Sequence, residues 1–226
     1  MASRDRLFAA ALGLALPLPC FGCAPSPSPC TTPGACGSGE ECLANRCVRL
    51  GADPVAADTR RLLFAPRTVA VVSAHGPRPA AGLPGAVTFG SRSAGASALY
   101  LDYAIGFERV RSVDSAFLVL EPLPMSALDA ETVEVDAWRV AERWDGESIS
   151  WLSQPALAPP RARGVAQPGP LSVLRIDVSE IARFWLAQPL QNRGLALKAS
   201  SGDGHGMSFS TGASDGPAPR LELYVR

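Results

Sequence analysis

All six cysteines of this 226-residue chain fall within its first 47 positions, and the 179 residues after them contain none. The chain therefore divides into a short N-terminal stretch that covalent bonds can staple and a body that must fold on apolar burial alone. The body has the means to do so. Apolar residues make up 47% of the chain and charged residues 19%, which is too apolar for general disorder. The length suits one medium domain plus a small appendage. Gly and Pro, 21 of each, punctuate the sequence densely, favouring many short strands joined by turns over a helical bundle. Lys and Arg (21) balance Asp and Glu (21), so no basic footprint for nucleic acid exists. Two histidines are too few for a His-rich metal site.

Arg4 and Arg6 precede an apolar run from Leu7 to Pro19, the layout of a secretory signal peptide. The run is shorter than the ~20 residues a spanning helix needs. Cys23, between Gly22 and Ala24, resembles the lipidated cysteine of a bacterial lipoprotein cleavage site. That resemblance implies a signal peptide over 1–22, lipidation at Cys23, and a flexible Pro/Ser tether over 23–29. Cys20 stands where the lipoprotein pattern has Leu, and ordinary secretion with cleavage nearby is the alternative. Either way the expected location is outside the cytoplasm: the outer membrane or cell surface, the periplasm, or the medium. The only membrane contact expected is through the N-terminal lipid. Loss of Cys20 with the signal and acylation of Cys23 leave an even set of four cysteines.

Those four, Cys30, Cys36, Cys42 and Cys47, sit in a module over 30–49 with too few apolar residues to form a core. Gly34, Gly37, Gly39 and Asn45 between them are turn formers. Two disulfides are the expected solution in an oxidising compartment. A zinc site is the competitor, but the cysteine spacings lack the close C-x2-C knuckles of common zinc modules. Of three possible pairings, Cys30–Cys42 with Cys36–Cys47 is the one expected. The module reads as a spacer or interaction knob, joined to the body by a linker over 50–65.

Beyond the linker, short alternating runs are separated by Gly/Pro clusters. Strands are expected at 97–103, 112–120, 132–140, 171–178, 194–199, 206–210 and 220–226. In the last, Leu221, Leu223 and Val225 are expected to face inward and Glu222 and Tyr224 outward. One segment departs from this rhythm. Asp177 followed by Glu180 has the form of a capping box, and Val178, Ile181, Ala182, Trp185 and Leu186 keep helical spacing until Pro189. Many strands, one short helix and no repeated βαβ unit predict an all-β fold, a jelly-roll-type β-sandwich.

Four ordered features of the body resemble the DNRLRE family. They are the strand 97–103 (SALYLDY); residues 140–151 (VAERWDGESISW) with Gln154-Pro155; residues 176–186 (IDVSEIARFWL) with 192–197 (NRGLAL); and Phe209-Ser210 with 219–224 (PRLELY). Together they cover about residues 66–226. The resemblance implies a β-sandwich on an exported protein, usually as an accessory module, and related domains are counted among carbohydrate-binding modules.

Strand phase then singles out candidate residues. Trp138 shares the phase of Glu134 and Asp136, opposite Val133 and Val135, and Tyr100 and Asp102 have the same outward phase on another strand. An outward aromatic beside carboxylates offers a platform for sugar C–H faces and acceptors for hydroxyls. The bland alternative for each is a solvated edge or a domain contact. Trp151 and Trp185 read as core, and Trp144 brackets the same loop as Trp151. His75 and His205 lie in Gly/Pro contexts, and a relay of His205 with Asp203 is the weakest of the readings. No G-x-S-x-G elbow, metal-binding His pair or D-x-D-x-D-G calcium loop occurs. The expectation is a non-catalytic carbohydrate-binding or envelope-interaction module without cofactor or metal. A structural or adhesion domain that binds another envelope protein is the alternative, and a polysaccharide-degrading enzyme is a weaker one.

Overall fold

The structure, a computed structural model, describes residues 30, 35–38, 40–43, 46–49, 59–74, 85–91, 95–123, 131–169, 173–199, 204–212 and 216–226. The signal peptide, Cys20, Cys23, the tether, His75 and Asp203 lie outside the described residues. No helix among the described residues is long and apolar enough to cross a membrane.

The cysteine module is a hairpin of β1 (Glu40–Leu43) and β2 (Arg46–Arg49), in which Cys42 stands directly opposite Cys47. These two are not joined to each other. Each is bonded back to the segment before the hairpin, Cys42 to Cys30 and Cys47 to Cys36. This is the expected pairing, and it leaves no thiolate for zinc. The sulfurs supply the buried centre that apolar side chains cannot.

The body is a jelly-roll-type sandwich of antiparallel sheets. Its strands are β3 (Arg60–Phe64), β4 (Thr68–Ser73), β5 (Ala86–Phe89), β6 (Ser97–Asp102), β7 (Val113–Leu120), β8 (Val133–Val140), β9 (Leu157–Ala166), β10 (Leu174–Asp177), β11 (Leu195–Ala199), β12 (Met207–Ser210) and β13 (Arg220–Val225). One sheet runs β10-β7-β13-β3 and the other β4-β6-β11-β8-β9, with β5 and β12 forming a separate pair. β3 lies within what the sequence division left to the linker. Its Leu62 and Phe64 pack against the core, so the sandwich begins before residue 66.

Alternation does the sorting. Leu99 and Leu101 of β6, Val133, Val135 and Ala137 of β8, and Leu195 and Leu197 of β11 face Ala116, Leu118 and Leu120 of β7, Ile176 of β10, and Leu221 and Leu223 of β13. Each fully buried Leu, Ile or Val in this layer contributes about 1.5–3 kcal/mol by leaving water. Helix α1 (Ser179–Ala187) packs against β7 and β9, one strand of each sheet, with Ile181, Ala182 and Trp185 buried. Its start differs from the expected capping box. The N-cap is Val178, with no side-chain cap, and the Asp177 carboxylate accepts instead from the Ser179 amide (3.0 Å) and hydroxyl (2.5 Å). The N-cap thus lies one residue downstream of the expected Asp177, and Val178 itself is buried in the core.

The chain returns from the helix to β11 through Asn192-Arg193-Gly194. Asn192 donates to the Tyr103 carbonyl (2.9 Å) and accepts from the Gly194 amide (3.1 Å). Gly194 has φ +84°, and a Cβ there would lie 2.1 Å from the Leu101 carbonyl oxygen. Only glycine lets the chain enter β11 this close to β6.

Candidate functional site

The outer face of the five-stranded sheet holds every carbohydrate-site candidate, in the phase that alternation predicts. Strand register sets them in rows. Ala70, Tyr100, Ala196, Trp138 and Arg161 form one row across β4, β6, β11, β8 and β9. Val72, Ala98, Lys198, Asp136 and Arg163 form the next. Tyr100 and Trp138 are thus two strands apart in the same row, about 10 Å at ordinary strand spacing.

Half of this face is roofed. The loop 141–156 leaves β8 and returns to β9 with its ends joined, the Ala141 amide donating to the Ala156 carbonyl (2.9 Å). It lays Trp144, Ile149 and Trp151 over Ala70, Val72, Ala98, Tyr100, Val140 and Ala196, which gives the sheet a second apolar core. Trp144 packs at a tilt on Tyr100, with ring centroids 5.6 Å apart, and its indole N–H donates to the Arg193 carbonyl (2.8 Å). The Tyr100 hydroxyl donates to Gln154 Oε1 (3.0 Å), and Gln154 Nε2 donates to the Trp151 carbonyl (2.8 Å). Tyr100 has no exposed surface, and burial pushes its phenol up to about 12. The outward phase expected for Tyr100 is therefore right, but exposure does not follow from it. Asp102, beside it, is held by Arg67, whose Nε donates to Oδ2 (2.9 Å). Neither residue is presented to solvent as a free binding group.

The other half is open. Trp138 is half-buried there, with the Arg161 guanidinium carbon 5.0 Å from its ring centroid. Arg163 bridges both carboxylates: Nε donates to Asp136 Oδ1 (2.8 Å) and one terminal nitrogen donates to Glu134 Oε2 (2.9 Å). The hydrogen bond to Asp136, then the charges of Asp136 and Glu134, raise the Arg163 pKa further. Lys198, cross-strand from Asp136, is half-buried, and burial lowers its pKa. No ion pair among the described residues engages its ammonium. The open half thus combines an indole, two oriented carboxylates, two guanidinium groups and one ammonium. Each carboxylate retains lone pairs after its bond to Arg163, so hydroxyl donors can still be accepted.

Arg161, Arg163 and Lys198 were not among the sequence candidates. The period-two alternation of the two arginines in PPRARGVA is a strand signal, but Pro159-Pro160 reads as a turn and hides it. The Pro pair is tolerated because β9 is an edge strand. His205 is exposed.

The outer face of the four-stranded sheet is built differently. Glu222 and Tyr224 do point off that sheet as expected, yet they are only 2% and 3% exposed. Glu222 is ringed by Arg61 (2.6 Å), Arg220 (3.3 Å) and Arg175 (3.4 Å), and Arg175 also lies over the Phe117 ring at 4.0 Å. Tyr224 packs edge-on against Phe117. Long arginine stems cover what phase alone would leave in water.

No family model matches this chain, and no curated protein matches it.

Proposed function

We propose that the protein is a non-catalytic, exported carbohydrate-binding or envelope-interaction module. The observation that carries this reading is the open half of the five-stranded sheet, where Trp138 stands beside Glu134 and Asp136. Arg163 fixes those carboxylates in place, so their free lone pairs accept sugar hydroxyls without prior ordering. Lys198 donates to ring or hydroxyl oxygens, and Trp138 supplies the apolar surface for a pyranose C–H face. Arg161 slides off the indole or shares it with the sugar. The DNRLRE resemblance and the secretory N-terminus agree with this role, and lipidation at Cys23 would hold the module at a membrane surface.

A polysaccharide array probed with the purified protein tests the reading. Binding is expected, and Trp138→Ala is expected to abolish it while leaving the unfolding midpoint within experimental scatter. A blank array, or binding that Trp138→Ala leaves intact, overturns the proposal. The alternative, a structural or adhesion domain, is favoured by the internal pairing of every carboxylate on this face. A blank array together with a stoichiometric envelope-protein partner recovered by crosslinking would establish it.

A further inference from the structure

Among the described residues the two main sheets have four edge strands, β3, β4, β9 and β10, and three of them carry features that discourage a further strand. β9 contains Pro159-Pro160, Arg161 and Arg163, and its Gly164 lies against Leu174 and Ile176 of β10. β10 is four residues long and bears Arg175 and Asp177. β3 opens with Arg60 and Arg61. β4 has none of these features. It reads Thr-Val-Ala-Val-Val-Ser, six residues without charge, proline or glycine.

The register of β4 on β6 says which of its backbone groups are spare. The Ala74 amide donates to the Ala96 carbonyl (3.0 Å), in the same register that pairs Thr68 with Asp102, Ala70 with Tyr100 and Val72 with Ala98. In an antiparallel ladder the bonded pairs alternate, so Thr68, Ala70 and Val72 are bonded to β6. Val69 and Val71 therefore aim their N–H and C=O groups away from the sheet, and no described backbone group pairs with them. The Val71 side chain points to the core side, opposite Leu99, yet is 40% exposed, and no described strand lies beyond it.

We propose that this edge pairs with a second copy of the chain, antiparallel about a two-fold axis through Ala70. Val69 of each copy then exchanges both backbone bonds with Val71 of the other, four bonds in all. Ala70 meets its counterpart at the non-bonded position, where Cα atoms approach to about 4.5 Å and a small side chain fits. Val69 covers the exposed flank of Val71 in the other copy. Arg67 falls opposite Ser73, so no like charges meet across the seam. The uncharged, self-complementary register is what selects a second copy as the occupant. The result is one continuous sheet made from both five-stranded sheets, an isologous dimer.

Light scattering after size-exclusion chromatography tests this on the purified protein from low to high micromolar concentration. The expected mass rises from one to two protomers, with Val69 and Val71 amides gaining exchange protection in step and Ala70 and Val72 protected throughout. Val71→Pro removes one outward N–H and leaves the ladder to β6 intact. It is expected to stay monomeric with a wild-type unfolding midpoint, whereas Val71→Thr still dimerises. Should Val71→Pro unfold, Val71→Lys keeps every backbone group and is expected to raise the dimer dissociation constant about tenfold. Three results would overturn the proposal: a wild-type monomer at every concentration, a dimer insensitive to the folded variant, or Val69 and Val71 amides already protected in the monomer.

Discussion

Tyr100 and Trp138 occupy one register row of one sheet face and share it with Ala196 between them, yet they have opposite fates. Over Tyr100 the loop 141–156 folds back with its two tryptophans and builds a second core. Beside Trp138 no described loop returns, and the same face is finished with paired charges. The neighbours decide the difference. Small side chains at Ala70, Ala98 and Ala196 leave room for Trp144, Ile149 and Trp151 to settle on the sheet around Tyr100. Arg161, Arg163, Asp136 and Glu134 hold their own space around Trp138 and stay hydrated. One face is thus finished in two ways, as a hydrophobic anchor for a loop and as a polar surface of paired charges.

The largest effect that separates the halves is expected from Tyr100→Ala. It empties a fully buried aromatic site beneath the roof, at a cost of about 3–5 kcal/mol in denaturant unfolding. A loss below about 1 kcal/mol would show that the roof is not a core. Trp138→Ala, equally aromatic and in the same row, is expected to cost far less stability and to act on binding instead.

Alkaline pH sharpens the contrast with a smaller effect. The Tyr100 phenol titrates near 10 in the unfolded chain, and burial raises it to about 12 in the folded one. A raised folded value means that the contribution is intact below about pH 10 and is lost as pH climbs toward 12. Unfolding free energy should therefore fall across that window, and Tyr100→Phe should flatten part of the slope. Tyr103, whose phenol is also raised by burial, adds to the fall, and Lys198, lowered by burial, opposes it as pH rises to its unfolded value. An unchanged slope in Tyr100→Phe would place the titration elsewhere.

The smallest effect is expected on the open half. Glu134→Gln removes an exposed ion pair with Arg163 and should change stability by no more than about 0.5–1 kcal/mol. A larger loss would mean that the charge lattice holds the sheet together and is not simply a ligand surface.

Much of this layout was legible in the residues. The strand phases of 97–103, 132–140 and 220–226 put every candidate on the face it occupies, and the helical spacing of Ile181, Ala182 and Trp185 placed the helix. β4, β5 and β9 were harder to read. Val-Ala-Val-Val in β4 and Ala-Val-Thr-Phe in β5 are short and nearly all apolar, so they show no clean alternation. Prolines interrupt β9. The candidate site was half legible for a related reason. Period-two alternation tells which face a side chain leaves from and carries no information on what covers that face.

The sequence by itself determined the division at Cys47, the stapling of the N-terminal module, the all-β body and the faces of its strands. These follow from local chemistry: thiol placement, turn residues and the alternation of Cβ atoms along an extended chain. Only the tertiary structure decided that Tyr100, Glu222 and Tyr224 are buried on outward faces and that Asp136 and Glu134 are held by Arg163, with Trp138 left beside them in the open. Those outcomes depend on side chains from strands and loops distant in sequence, and on how far each can reach. Alternation gives the direction of a side chain, and packing settles whether water reaches it.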